Sequence, residues 1–193
     1  MMLMLHQQNK ITWVHFVMVT LYRHGFGYVW ESPDSVGHRK LFLKMFKDRL
    51  VECSYQDWHF KINNSERFQT YSSFKVDNNC GSYLHDIRHT GMRDTLIKFR
   101  LGVSDLRCHR LRYNSSTDTC LHCPFCNELE TELHFLFICP RYEDLRALYI
   151  PKKFYRYPSQ FRFSVLMSDS CPKLTRDLAC FIYKAMKRRE AGN

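Results

Sequence analysis

Apolar residues recur along this chain at helical spacing. In the stretch 172–189, Leu174, Leu178, Ile182, Ala185 and Met186 form one stripe. That stripe predicts an amphipathic helix, entered through Pro172 and closed by Lys184, Lys187, Arg188 and Arg189, whose charge suits a helix C-terminus. Met92, Leu96 and Phe99 repeat at i, i+4 and i+7 and predict a helix over 91–101, broken by Gly102. Ser104 stands where it would cap a further helix running to about Arg112. Phe42, Met45, Phe46 and Leu50 predict a long helix over 35–58, with Lys40, Lys44 and Lys47 on another face. Shorter helices are expected over 66–74, 142–149 and 159–167. The longest apolar run, 11–22, is interrupted by His15 and is too short to span a bilayer; it reads as a core helix over 11–24 stopped near Gly25. Residues 25–34, with Phe26, Tyr28 and Trp30, read as a loop, 77–81 as a turn, and 114–119 as a polar loop.

The chain of 193 residues is 45% apolar and 15% aromatic, which is globular rather than disordered material. Only 7 glycines and 6 prolines punctuate it, favouring long helices over many short strands. The expected fold class is mostly α, with no internal repeat.

The strongest chemical signal is Cys123, Cys126, His134 and Cys139, spaced C-x2-C-x7-H-x4-C. Three sulfurs and one imidazole are the donor set of a closed, tetrahedral structural zinc site. A C-x-x-C pair suits a tight turn, and a short hairpin is expected over 120–127. Thr131 is placed to cap a short helix carrying Leu133, Phe135, Leu136 and Phe137. Five positions separate His134 from Cys139, which is not one face of an ideal helix, so that helix is expected to end or tighten before Cys139. Cys120 and Cys123 form a second C-x-x-C register, with His122 as a nearby alternative ligand. The expected architecture is a small helical domain with a zinc-stapled hairpin and helix insert.

The segment after the C-x-x-C pair, Glu130-Thr131-x-x-His134-x4-Cys139, resembles the zinc-binding segment near the C-terminus of LINE-type (non-LTR) retrotransposon reverse transcriptases. Lys98-Phe99-Arg100-Leu101-Gly102-Val103-Ser104 is similar to the run preceding the cysteines in that family, and Cys139-Pro140-Arg141-Tyr142 with Leu145-Arg146 to the stretch after them. Gly25-Phe26-Gly27-Tyr28-Val29-Trp30 resembles sequence C-terminal to the polymerase. The spacing differs from the retroviral nucleocapsid knuckle, C-x2-C-x4-H-x4-C. The resemblance implies a C-terminal piece of a polyprotein, divided as an N-terminal helical segment 1–84, a zinc-binding segment 85–150 and a C-terminal helical segment 151–193. It also implies an upstream polymerase domain as a partner, and RNA or single-stranded DNA as a ligand.

Charge points the same way. The formal net charge is +10, and basic residues predominate over 85–113 and 141–162, on either side of a loop that holds Glu128, Glu130 and Glu132. The candidate phosphate contacts are Arg93, Arg100, Arg107, Arg110 and Arg112, because the guanidinium fork grips two oxygens. Lys152, Lys153, Tyr155, Arg156 and Tyr157 alternate cations with rings suited to stacking on unpaired bases. A purely structural or protein-interaction role is the competing reading.

An enzyme is not expected. A polymerase needs paired aspartates for two metals, and no Asp-Asp pair occurs. Cys108 and His109 are helical neighbours that should not face each other. The six cysteines outside the motif, Cys53, Cys80, Cys108, Cys120, Cys171 and Cys180, have no framework spacing and read as buried thiols of an intracellular protein, cytoplasmic or nuclear. No membrane association is expected.

Overall fold

The computed structural model describes residues 12–113 and 120–192. The loop expected over 114–119 lies outside them. Among the described residues the regular structure is helical, and the one pairing of extended residues is an antiparallel bridge between His122 and Leu129. No helix among them is long and apolar enough to cross a membrane. The chain divides into two compact units, Met1–His59 and Phe60–Asn193.

The first unit contains α1 (Trp13–Arg23), α2 (Gly27–Glu31), a 3-10 turn (Pro33–Val36) and most of α3 (Arg39–Asn63). Helix α1 stops because Gly25 takes φ +82°, which lets Gly25 N–H reach the Tyr22 carbonyl and Phe26 N–H the Leu21 carbonyl. These two bonds satisfy carbonyls that the helix end would leave open. Residues 27–31 are helical rather than the expected loop. The reason is tertiary: Phe26 is buried edge-on against Phe42 and Phe46, with ring centroids 5.7 and 5.2 Å away, so the chain turns tightly behind it.

The second unit contains α4 (Gln69–Ser72), α5 (Tyr83–Asp86), α6 (Thr90–Arg100) and α7 (Arg107–Leu111). Past the metal-site hairpin come α8 (Glu143–Tyr149), α9 (Lys152–Tyr155), α10 (Gln160–Met167) and α11 (Pro172–Glu190). Helix α6 begins at His89, whose Nδ1 accepts the Met92 N–H at 3.2 Å. Helix α11 buries Leu178, Ala179, Phe181, Ile182, Ala185 and Met186 and packs chiefly on α6 and α8. Phe135 joins these layers, with ring centroids 5.6 Å from Phe99, 4.9 Å from Tyr142 and 5.9 Å from Phe181. Each such buried ring contributes roughly 1.5–3 kcal/mol of transfer free energy. Ser104 does not cap α7, whose first-turn boundary is Leu106 with no side-chain cap; its hydroxyl is used on His109 instead.

Candidate metal centre

The Cys123 side of the centre is a tight hairpin. Cys123 N–H donates to the Glu128 carbonyl at 2.7 Å, Asn127 N–H to the Cys123 carbonyl at 3.0 Å, and Glu130 N–H to the Leu121 carbonyl at 2.8 Å. Closing the turn requires one left-handed residue, and Asn127 supplies it at φ 59°. The hairpin turns Cys123 and Cys126 towards the same point.

The other two ligands stand on a short helix. The Thr131 hydroxyl accepts the His134 N–H at 3.1 Å, the expected cap. Beyond it the helix ends before Cys139, as one of the two expected outcomes had it, but it does not tighten. It widens into a π turn, His134–Ile138, in which Cys139 N–H donates to the His134 carbonyl at 2.8 Å. In an ideal α-helix, positions five apart would diverge by roughly 140°; the wider i→i+5 turn brings them back to one side. Pro140 has no N–H to offer the Leu136 carbonyl, and the buried Arg146 satisfies it through Nε at 2.8 Å; Arg146 Nη2 also donates at 2.8 Å to the Cys139 carbonyl, which accepts the Tyr142 N–H at 3.3 Å as well.

The ligand atoms of Cys123, Cys126, His134 and Cys139 lie within 4.8 Å of one another. The Cys123 and Cys139 sulfurs are 3.9 Å apart, and the Cys126 sulfur is 3.3 Å from His134 Nε2. A tetrahedral ion bound at about 2.3 Å to sulfur would space its sulfurs about 3.8 Å apart. The group can therefore hold a metal ion with little rearrangement. Cys123, His134 and Cys139 are buried. Burial pushes the Cys139 thiol up to about 12 and raises Cys123, while burial lowers His134. Buried thiolates need a cation, and buried neutral imidazole is the ligating form. Cys120 is exposed and outside the group, so the register is Cys123 with Cys126.

Two carboxylates of the same loop point inward, which their place in an acidic run did not indicate. Glu130 is buried and takes a two-pronged pair from Arg189, at 2.5 and 3.0 Å, plus the Arg107 N–H at 2.8 Å. Glu132 Oε1 accepts from Thr70 Oγ1 at 2.5 Å and Arg112 Nη2 at 2.8 Å, and lies 3.0 Å from His109 Nε2. Burial works against the Glu132 charge, but the hydrogen bonds from His109 and Thr70 and the Arg112 cation hold it well below the usual carboxylate range. His109 Nδ1 meets the Ser104 hydroxyl at 2.7 Å and accepts its N–H at 3.2 Å. The two glutamates thus tie the metal loop to α11, α7 and α4.

Cys108, His109 and Glu132 form a second group with ligand atoms within 4.8 Å, although sequence neighbours were not expected to converge. Glu132 is already paired with Arg112, and burial raises the Cys108 thiol; within this group His109 and Glu132 form a hydrogen-bonded tie.

The arginines read as phosphate contacts have other partners. Arg100, 2% exposed, lies between the Phe74 and Tyr83 rings and pairs with Asp169 at 2.6 Å. Arg93 reaches the Leu84 and Ile87 carbonyls at 3.4 Å each. Arg107 contacts the Cys120 carbonyl at 3.4 Å, Arg110 pairs with Asp105, and Arg112 holds Glu132 and Thr70. Arg100 and Arg112 are thus held by carboxylates inside the unit, and Arg110 by Asp105 on its surface. Lys152, Lys153, Arg156 and Tyr157 are exposed, and Tyr155 is half-buried near Arg146. Arg162 joins this group in space, its guanidinium carbon 5.5 Å from the Tyr157 ring centroid, but falls outside the basic–aromatic run, where a sequence scan would meet it only as a helix beginning. Of the remaining cysteines, Cys80, Cys120 and Cys171 are exposed, not buried as expected.

No protein-family model, curated protein or solved structure matches this chain.

Proposed function

We propose that the chain is a non-catalytic zinc-binding and nucleic-acid-binding module, similar to the C-terminal segment of a LINE-type reverse transcriptase polyprotein. The observation that carries this reading is the convergence of Cys123, Cys126, His134 and Cys139. A Cys3His set selects zinc among common divalent ions and fills its tetrahedral shell. No position is left for a substrate, so the ion's work is structural: it holds the hairpin and the π turn together. The net charge of +10 supports a polyanionic ligand, RNA or single-stranded DNA.

Two measurements test this reading. Metal analysis of purified protein is expected to find about one zinc per chain, lost in Cys126→Ser. Binding to a labelled RNA is expected to weaken steeply as salt rises. Flat salt dependence would favour a second reading, a structural module for an absent protein partner such as a polymerase domain. That alternative is supported by Trp13, Phe16, Leu41, Leu43, Met45 and Val51, apolar residues exposed in the first unit.

A further inference from the structure

We propose that Arg146 is the counter-ion of the zinc-loaded centre, its buried guanidinium balancing the single negative charge that three thiolates leave on the ion. This inference rests on the zinc reading above and gives a role to a residue outside the ligand set.

The first observation is a buried cation without a carboxylate. Arg100, Arg146 and Arg189 are buried among the described residues, at 2, 4 and 4% exposure. Arg100 pairs with Asp169, and Arg189 with Glu130. Arg146 instead donates to two backbone carbonyls, Leu136 and Cys139, and among the described residues it makes no ion pair. An exposed arginine needs no carboxylate, because water serves it. An enclosed one is strongly disfavoured unless some other anion answers its charge.

The second observation is where Arg146 points. Leu136 lies within the π turn that starts at His134, and Cys139 is one of the four converging residues, so both hydrogen bonds fix the guanidinium against the turn that carries two of the ligands. Leu145 and Arg146 are the buried residues of α8, which delivers the cation from the core side. The Tyr155 ring centroid lies 5.9 Å from the guanidinium carbon. Burial works against the Arg146 charge, and of the groups that favour it the Cys139 sulfur comes first, ahead of the exposed Glu143.

The chemistry of the donor set completes the match. Three thiolates and a neutral imidazole on a divalent zinc ion leave one net negative charge. A buried anionic centre needs a counter-charge as much as a buried arginine does. The carbonyl hydrogen bonds hold the guanidinium in place, and its charge favours the loaded centre.

The test is the zinc affinity of the full chain, read by competition with a chromogenic chelator, with the absorption of bound cobalt as a check on the four-ligand shell. Arg146→Gln keeps a hydrogen-bond donor and removes the charge; it should weaken zinc about tenfold or more, as outer-shell substitutions do. Arg146→Lys keeps the charge and loses the planar fork; it should weaken zinc less than about fivefold. The centre can also be changed instead. Cys126→His gives two thiolates and two imidazoles, whose zinc complex is neutral. On that background Arg146→Gln should cost less than about threefold, because the charge it removes no longer has a partner. Equal losses on both backgrounds, or an Arg146→Lys variant as weak as Arg146→Gln, would leave only the carbonyl hydrogen bonds and overturn the counter-ion. Should Arg146→Gln fail to fold or Cys126→His fail to load, Arg146→Lys decides alone, a loss above about fivefold overturning the proposal. In each of these cases wild type still binds zinc and the metal reading stands. If wild type takes up no zinc, both fall.

Discussion

Helices α11 and α3 are both long, yet they are held by different means. Helix α11 gathers its apolar residues on one stripe, and Leu178, Ala179, Phe181, Ile182 and Ala185 are fully enclosed. Its C-terminal end is then fastened by Arg189 to Glu130 and by Arg188 to Asp144. Helix α3 carries apolar residues on several faces. Leu41, Leu43, Met45 and Val51 are exposed, and Ile62 is its only buried residue. Around α3, the first unit encloses just Val14, Leu21 and Phe26 among its described apolar residues. A helix becomes a stable part of a fold when its apolar face has something to cover it. The second unit has that cover, and it has buried ion pairs and a metal-ligand cluster besides.

The largest expected effect belongs to the Cys123, Cys126, His134 and Cys139 cluster, on the proposal that it holds zinc. Zinc at such a site contributes on the order of 10 kcal/mol of folding free energy. Cys139→Ser, or removal of zinc by a chelator, should therefore abolish cooperative unfolding of the second unit, followed by near-UV circular dichroism. An unchanged transition would mean that the apolar core alone holds the unit.

Next comes the buried pair. Glu130→Ala strands the Arg189 cation inside the unit, where both side chains are almost fully enclosed. Breaking a buried pair from one side costs about 3–5 kcal/mol. The denaturant midpoint should fall accordingly, with metal content unchanged from wild type. A loss below about 1 kcal/mol would place this pair with surface salt bridges.

Acid should sharpen the contrast further. The folded-state pKa of Glu132 lies below its ordinary 4.5, so the unfolded chain takes up that proton first. Its stabilising contribution is complete above the ordinary glutamate range and is lost as pH falls towards the folded value. Glu132→Gln should flatten this part of the stability–pH curve. An equally steep curve in the variant would assign the acid sensitivity to other groups.

The smallest effects are expected on α3. Leu43→Gln and Val51→Thr should change stability by no more than about 0.5 kcal/mol, as substitutions at exposed positions usually do. Hydrogen exchange should show weaker protection in the first unit than in α6 and α11. A large loss at Leu43 or Val51 would mean that this surface is covered in solution, as the protein-partner reading requires.

Helices over 90–100 and 172–190 and the convergence of Cys123, Cys126, His134 and Cys139 were legible in the chain itself. Periodicity records which face of a helix will be buried, and the ligand set records its own chemistry at short range. The hairpin and the Thr131 cap followed for the same reason, since each depends on residues a few positions apart. The π turn was not legible. It brings His134 and Cys139 together with Cys123 and Cys126 across the hairpin, and at its end Arg146 takes the Leu136 and Cys139 carbonyls. Nor could the chain alone show which cations are free. Arg100 finds Asp169, Arg189 finds Glu130 and Arg112 finds Glu132, each far away in sequence. An arginine is indifferent to whether its carboxylate is internal or its phosphate external. Only the tertiary structure, by bringing Asp169, Glu130 and Glu132 to Arg100, Arg189 and Arg112, shows which cations are spent inside the fold.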